Sequence, residues 1–194
     1  LMEELKEPKL YFSLLESLGS SQKGVTELAV SLGVERSRLP YYTKNLMELQ
    51  YIERNAPLLT YQNPFERKAA YKIKDPLLRF WFTFVYPHAN AMERMDPRLF
   101  YSTLVAPHLE AYWGHGFESL AQELFVTQKL LPKLAEPFKM GSYWDKNIQV
   151  DFTVAVKSGL SYLGEAKWNR IDVSTATSFL RKLEYFRNKM AYRA

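Results

Sequence analysis

The sequence contains no cysteine and only three histidines in 194 residues. A disulfide framework and a cysteine-ligated zinc site are therefore excluded, and a cysteine-free chain suits the cytoplasm. His88, His108 and His115 are too scattered for a metal centre, and no carboxylate stands at ligand spacing with both His108 and His115. A GxxxxGK(S/T) phosphate loop and a GxGxxG fingerprint are also missing, so these residues bind nucleotide by neither route, and no ATPase activity is expected of them. No apolar run approaches bilayer length and no charged-then-apolar leader opens the chain, which predicts no membrane association. The first residue is Leu1, which points to a piece of a longer protein. Nothing in the composition fixes an oligomeric state.

What is present is a chain of globular composition, 47% hydrophobic and 15% aromatic, with a formal charge of +5. That excess permits a polyanionic partner without demanding one. Its length suits one ordinary domain or two small ones, and the pattern divides into residues 1–74, a connector at 75–106 and residues 107–194.

In the first part, Pro8 precedes the periodic residues Leu10, Phe12, Leu14, Leu15 and Leu18, which end at Gly19. Thr26 reads as the cap of a short helix over 27–32, Gly33 as the turn, and 35–49 as a longer helix with Leu39, Leu46 and Leu49 inward. Pro40 is expected in its first turn. Residues 51–54 and 69–73 read as a hairpin with a long polar loop, so this part is expected to be a winged helix-turn-helix. Its basic and aromatic groups are the candidate DNA contacts: Arg36, Arg38, Tyr41, Tyr42, Lys44 and Asn45 on the outer face of the second helix, with Arg54, Arg67, Lys68, Lys72 and Lys74 on the wing. Protein docking is the alternative use of the same module.

The connector opens on Asp75-Pro76-Leu77-Leu78-Arg79-Phe80-Trp81-Phe82-Thr83-Phe84-Val85-Tyr86-Pro87, the most aromatic stretch of the chain. Prolines bracket a helix of about three turns, apolar nearly all round and expected to be buried. Beyond it, 109–125 predicts a helix with Tyr112, Trp113, Phe117, Leu120, Ala121 and Leu124 inward, and Glu118 bordering that face. Residues 138–144 read as a strand. Residues from Asp172 or Ser174 to about Arg193 form a last helix, with Phe179, Leu180, Leu183 and Phe186 inside and Arg181, Lys182, Arg187, Lys189 and Arg193 outside.

Between them, Ile148, Val150, Phe152, Val154 and Val156 alternate with Gln149, Asp151, Thr153 and Ala155, the period of a half-buried strand. In 162–168, Glu165 and Lys167 share one face. A three-residue loop, Lys157-Ser158-Gly159, pairs Asp151 with Glu165 and gathers the three charges; a two-residue Ser158-Gly159 turn instead pairs Asp151 with Ala166. Two carboxylates a few ångströms apart form an oxygen site for Mg2+ or Mn2+. A lysine beside them orients water and stabilises the charge that develops in phosphodiester hydrolysis. The plain alternative is a cross-strand acidic pair relieved by lysine, with no chemistry.

The order helix with Glu118, strand with Asp151, strand with Glu165-Ala166-Lys167, helix resembles the PD-(D/E)XK nuclease superfamily. The wider arrangement resembles the C-terminal half of an archaeal-type AAA+ ATPase family also found in bacteria, in which a winged helix joins such a domain through a segment similar to Tyr71–Pro87. The fold class implied is mixed α+β and α/β, a winged helix joined to an α-β-β-β-α core. The resemblance implies that Asp151 and Glu165 bind Mg2+ (or Mn2+), that Lys167 assists the water and that Glu118 completes the site. It also implies DNA and an upstream ATPase domain as partners. Gln149 stands where that superfamily often has an acidic residue, and the strand usual after the last helix is not reached by Ala194. An inactive nuclease-like fold, kept as a DNA- or protein-binding regulator of the ATPase, is the second expectation.

Overall fold

The structure, a computed structural model, describes residues 7–59, 68–127 and 138–191. The chain is a mixed α+β protein, with two three-stranded antiparallel sheets among the described residues. It forms two compact units. One comprises Leu1–Asn55 and Lys68–Leu109, the other Ala56–Arg67 and Glu110–Ala194.

In the first unit, helix α1 (Pro8–Gly19) starts on a proline whose missing N–H has no partner to lose. It buries Tyr11, Leu14, Leu15 and Leu18. Helix α2 (Val25–Leu32) begins at Gly24, not at the expected Thr26 cap. The Glu27 carboxylate reaches back to the Gly24 N–H at 2.8 Å and satisfies one of the donors that a helix start leaves open. A 3₁₀ turn (Arg36–Arg38) leads into α3 (Leu39–Glu48), which accommodates Pro40 in its first turn as expected. Leu39 and Leu46 are fully buried, but Leu49, past the helix end, is exposed and does not join the inner face. Strands β1 (Lys23–Gly24), β2 (Ile52–Asn55) and β3 (Ala70–Ile73) form a sheet in the order β1-β3-β2, with Ile52 opposite Ile73.

The aromatic connector is not one regular helix. Helix α4 (Pro76–Phe80) passes into a π turn over Trp81–Val85 and a 3₁₀ turn over Tyr86–His88. Pro87 explains the change: its ring clashes with the carbonyl four residues back, and the backbone widens so that the Tyr86 N–H bonds to the Trp81 carbonyl, five residues earlier. After α5 (Ala89–Arg94) the same sequence of turns recurs in α6 (Pro97–Phe100), a π turn at Tyr101–Val105 and a 3₁₀ turn at Ala106–His108, with the Ala106 N–H bonded to the Tyr101 carbonyl. Asp75-Pro76 with Val85-Tyr86-Pro87-His88 and Asp96-Pro97 with Val105-Ala106-Pro107-His108 are thus two copies of one module, each capped by its aspartate. Phe82, Phe84 and Val85 are buried, but Trp81 and Leu77 are exposed, so the stretch is not enclosed on every side.

In the second unit, strands β4 (Phe138–Trp144), β5 (Gln149–Val156) and β6 (Gly159–Gly164) form a meander, followed by α8 (Val173–Ala191). Helix α7 (Leu109–Thr127) precedes them. The β5–β6 turn contradicts the three-residue loop. Val156 pairs with Gly159 across the two-residue turn Lys157-Ser158, and the register slips by one between the Ala155–Leu160 and Val154–Tyr162 pairs. This β-bulge supplies the odd residue that the loop was expected to carry. Thr153–Leu163 and Phe152–Gly164 hold the register expected of the odd loop, and the ladder ends there, one residue before Asp151 and Glu165. Gly159 has φ 150°, a conformation that other residues rarely adopt. Gly164 is required by contact, because a Cβ there would fall inside the Phe152 ring.

Strand β5 is buried from Val150 to Val156, on both faces rather than one. Part of the cover was assigned to the wing loop: the Leu58 N–H donates to the Ser142 carbonyl at 2.8 Å, the Thr153 hydroxyl donates to the Leu58 carbonyl at 3.0 Å, and Leu59 packs with Tyr143, Val150 and Phe186. Residues 56–59 therefore are not a polar wing tip. Helix α7 buries Tyr112, while Trp113, Leu120 and Leu124, expected inward, are exposed. On α8, capped by Asp172 (Thr175 N–H at 2.8 Å), Phe186 is buried but Leu180 faces out. Arg193 lies outside the described residues.

Candidate functional site

Asp151 and Glu165 meet where β5 and the end of β6 run side by side. The Asp151 carboxylate is nearly enclosed, and its Oδ2 accepts the Ala166 N–H at 2.9 Å. Gln122 of α7 donates to the Asp151 carbonyl at 2.6 Å, and the Phe125 ring meets Phe152 at 5.0 Å, so the helix holds the strand at this position. Lys167 bridges the two acids, 3.0 Å from Glu165 Oε2 and 3.6 Å from Asp151 Oδ2. Lys182 of α8 donates to the other Glu165 oxygen at 2.7 Å.

The electrostatics follow from this enclosure. Burial pushes the Asp151 carboxyl above its ordinary value; the Ala166 N–H opposes the rise, Glu118 and Glu165 add to it and Lys167 opposes it. Burial pulls Lys167 down, but its hydrogen bond to Glu165 and the fields of Asp151, Glu165 and Glu118 outweigh that and hold the ammonium above its usual value. Two carboxylates and two ammonium groups thus balance locally, with Glu118 acting on them through its field. The Glu118 carboxylate itself lies 3.8 Å from His115 Nδ1 on the same helix.

The structure brings Asp151, Glu165 and Lys167 together. Among the described residues no group of three or more histidine, aspartate or glutamate side chains is gathered closely enough to hold a metal ion, while the charge of Glu118 acts on both Asp151 and Lys167. A site of two hard carboxylate oxygens is still a fit for Mg2+, which takes one or two such ligands and keeps its waters. The sequence reading missed Lys182, assigned to the outer face of the last helix. Phe179, Lys182, Phe186 and Lys189 recur at intervals of three and four, a single helical stripe, and that spacing is the signal that could have found it.

Lys189 on that stripe belongs to a second buried polar cluster. It is paired with Asp145 and lies 2.6 Å from the Tyr143 hydroxyl. Asp145 also accepts from Tyr143 (2.8 Å), Tyr185 (3.0 Å) and the backbone N–H groups of Asn147 and Ile148. Burial opposes ionisation of Asp145, yet Lys189 and these donors hold its carboxyl far below the usual range. Lys189 is held well above its own, although burial works against it. This cluster fastens α8 to the β4–β5 turn.

Of the candidate DNA contacts, Arg36, Tyr41 and Lys44 are exposed; Lys44 stands 3.7 Å from Glu48. Arg38 pairs with Glu7 at 2.9 Å. Tyr42 does not lie on the outer face: its ring is buried against Tyr11, and its hydroxyl donates to Glu7. Asn45 is partly buried and donates to the Tyr11 hydroxyl at 2.6 Å. Lys72 pairs with Glu53 across the β2–β3 ladder at 3.0 Å, Lys68 is exposed, and Arg67 lies outside the described residues. Among the described residues no helix is long and apolar enough to cross a membrane.

Residues 81–179, just over half of the chain, match DUF234, a family of archaeal and bacterial proteins of unknown function. The chain belongs to this family. The DUF234 span runs from Trp81 to Phe179, so it holds the second copy of the α–π–3₁₀ module whole and the first from its π turn onward, together with Glu118, Asp151, Glu165 and Lys167. An uncharacterised protein of Methanocaldococcus jannaschii is 28% identical over 189 residues, covering 96% of this chain. The chain spans 42% of that relative's length. No solved structure matches.

Proposed function

We propose that this DUF234 chain is a DNA-processing module, a winged helix joined to a PD-(D/E)XK nuclease-like domain that hydrolyses phosphodiester bonds with Mg2+ or Mn2+. The observation that carries the reading is the convergence of Asp151, Glu165 and Lys167 at the end of a buried hairpin. The order α7, three-stranded meander, α8 supports a nuclease-like core. The order α1, β1, α2, α3, β2, β3, with β3 central in its sheet, supports a winged helix.

Asp151 and Glu165 would hold the cation, which when bound supplies Lewis acidity toward a phosphoryl oxygen and lowers the pKa of water. Lys167, kept charged by both acids, orients the attacking water and offsets the negative charge that develops on phosphorus. Arg36, Tyr41, Lys44 and Lys68 offer exposed groups to the phosphate backbone. More than half of the M. jannaschii relative lies outside this chain's match, and we propose that a further domain of the same polypeptide is an ATPase acting as motor or switch, in a cytoplasmic protein.

The test is cleavage of plasmid and linear DNA in Mn2+. The wild type is expected to cut, and Asp151→Ala and Lys167→Ala to lose about a hundredfold or more, the scale on which removing one transition-state contact acts. Equal trace cleavage by wild type and Asp151→Ala would end the enzymatic reading. One observation favours a second reading: each Glu165 oxygen already has a lysine, so the site is neutral without a metal. In that reading the fold is kept as a DNA- or protein-binding regulator, and the same assay then gives DNA binding without cleavage.

A further inference from the structure

We infer that Trp168 and Trp113 form a stacking shelf for an unpaired base beside the carboxylate–lysine centre, so that the DNA engaged there is single-stranded or locally opened. The inference deepens the nuclease-like reading of this site, and rests on it for the identity of the polymer. Trp168 follows Lys167 directly, and Phe117, which meets the Trp168 ring edge to face at 5.7 Å, directly precedes Glu118. The shelf therefore lies one residue from the site at Trp168, and its α7 member, Trp113, stands five residues before Glu118. The two indoles stand 6.5 Å apart between centroids at an interplanar angle of 31°. Trp113 is 49% exposed and Trp168 52% exposed.

An indole in a core buries its faces and finds a partner for its N–H. Here two large rings are braced from behind by Phe117 and Tyr112 but left half open to solvent. The cation that these rings have beside them for a phosphate is the exposed Arg170, which follows Trp168 by two residues, while Lys167 and Lys182 are paired with Asp151 and Glu165. A planar apolar surface interleaved with cations is the combination that binds single-stranded nucleic acid, since each nucleotide brings one ring face and one phosphate. A duplex keeps its ring faces in its own stack, so only an unpaired or extruded base gains from such a shelf.

The experiment measures binding of the purified chain to a fluorescently labelled oligothymidylate, a matched duplex and a base-free deoxyribose-phosphate oligomer, in chelator so that no cutting occurs. Oligothymidylate is expected to quench tryptophan emission and to bind about tenfold more tightly than the base-free oligomer. Trp168→Ala should erase that advantage and leave base-free binding unchanged, whereas Trp168→Phe should keep most of it. Because the wild-type comparison needs no variant, misfolding of Trp168→Ala does not blunt the test. Equal wild-type affinity for oligothymidylate and the base-free oligomer, or an oligothymidylate affinity unaltered in Trp168→Ala and Trp113→Ala, would overturn the inference. A chain that binds by bases in chelator but never cuts in Mn2+ keeps the shelf and loses the nuclease; one that cuts plasmid without any base-dependent binding does the reverse.

Discussion

Asp151 is held in a position that works against its own charge. Its carboxyl is raised by burial, with Glu118 and Glu165 adding to the effect. Between the unfolded carboxylate value and the higher folded one, the native chain holds this proton more tightly than the unfolded chain does. The group's contribution to stability therefore falls as pH rises through that window and remains unfavourable above it. Asp151→Asn keeps an oxygen for the Ala166 N–H and leaves Lys167 its contact with Glu165. Thermal melting should show this variant more stable than wild type by about 1 kcal/mol near neutral pH, with the difference closing at acid pH. A variant that gains stability while losing the function assigned to the site fits a residue kept for chemistry, not for the fold. If Asp151→Asn melts lower than wild type near neutral pH, the carboxylate is a structural partner of Lys167.

At the scale of elements, α8 is fixed by the pairing of Lys189 with Asp145. Asp145 is depressed, so its stabilisation is present above the ordinary carboxylate value and is lost as pH falls toward the folded one. Lys189 is raised, so its share is present below the ordinary lysine value and is lost as pH rises through the folded one. Between these limits the clamp is independent of pH. Lys189→Met leaves Asp145 buried without its cation and should cost about 3 kcal/mol in denaturant unfolding, at the low end for a buried pair because the ammonium is partly exposed. It should also flatten the acid limb of the stability profile; an unchanged acid limb would remove the clamp from the account. Helices α1 to α4, α7 and α8 and strands β2 to β6 were legible from periodicity and, at α1 and α4, from a proline at the start, whereas β1, α5 and α6 were not. The β5–β6 register was legible only in its result, because a bulge at Ser161 and an odd loop place Asp151 identically. The π turns at Trp81 and Tyr101 were missed, since a proline one turn ahead reads from sequence as a helix stop, not as a widened turn. Lys182 was missed because a lysine on an amphipathic helix is expected in solvent, and only the facing Glu165 turns it inward.

For the whole molecule, the chain passes from one compact unit to the other at Ala56, returns at Lys68 and leaves again at Glu110. Ala56-Pro57-Leu58-Leu59 reads as the arm of a wing, yet its apolar residues are buried in the second unit, and the connector through Leu109 belongs to the first. A short apolar run gives no indication of which core receives it. DUF234 membership joins these units to a family of unknown function, and the longer relative leaves more than half of its own length outside this chain. The central claim concerns the charge at one point of the second unit: that Asp151 and Glu165, now neutralised by Lys167 and Lys182, exchange an ammonium for a divalent cation. Calorimetric titration with Mn2+ measures this directly. The account predicts one Mn2+ per chain, lost in Asp151→Asn and Glu165→Gln and bound more tightly in Lys182→Met, where the competing ammonium is gone. A wild-type titration without heat, or one that Asp151→Asn leaves unchanged, would contradict it.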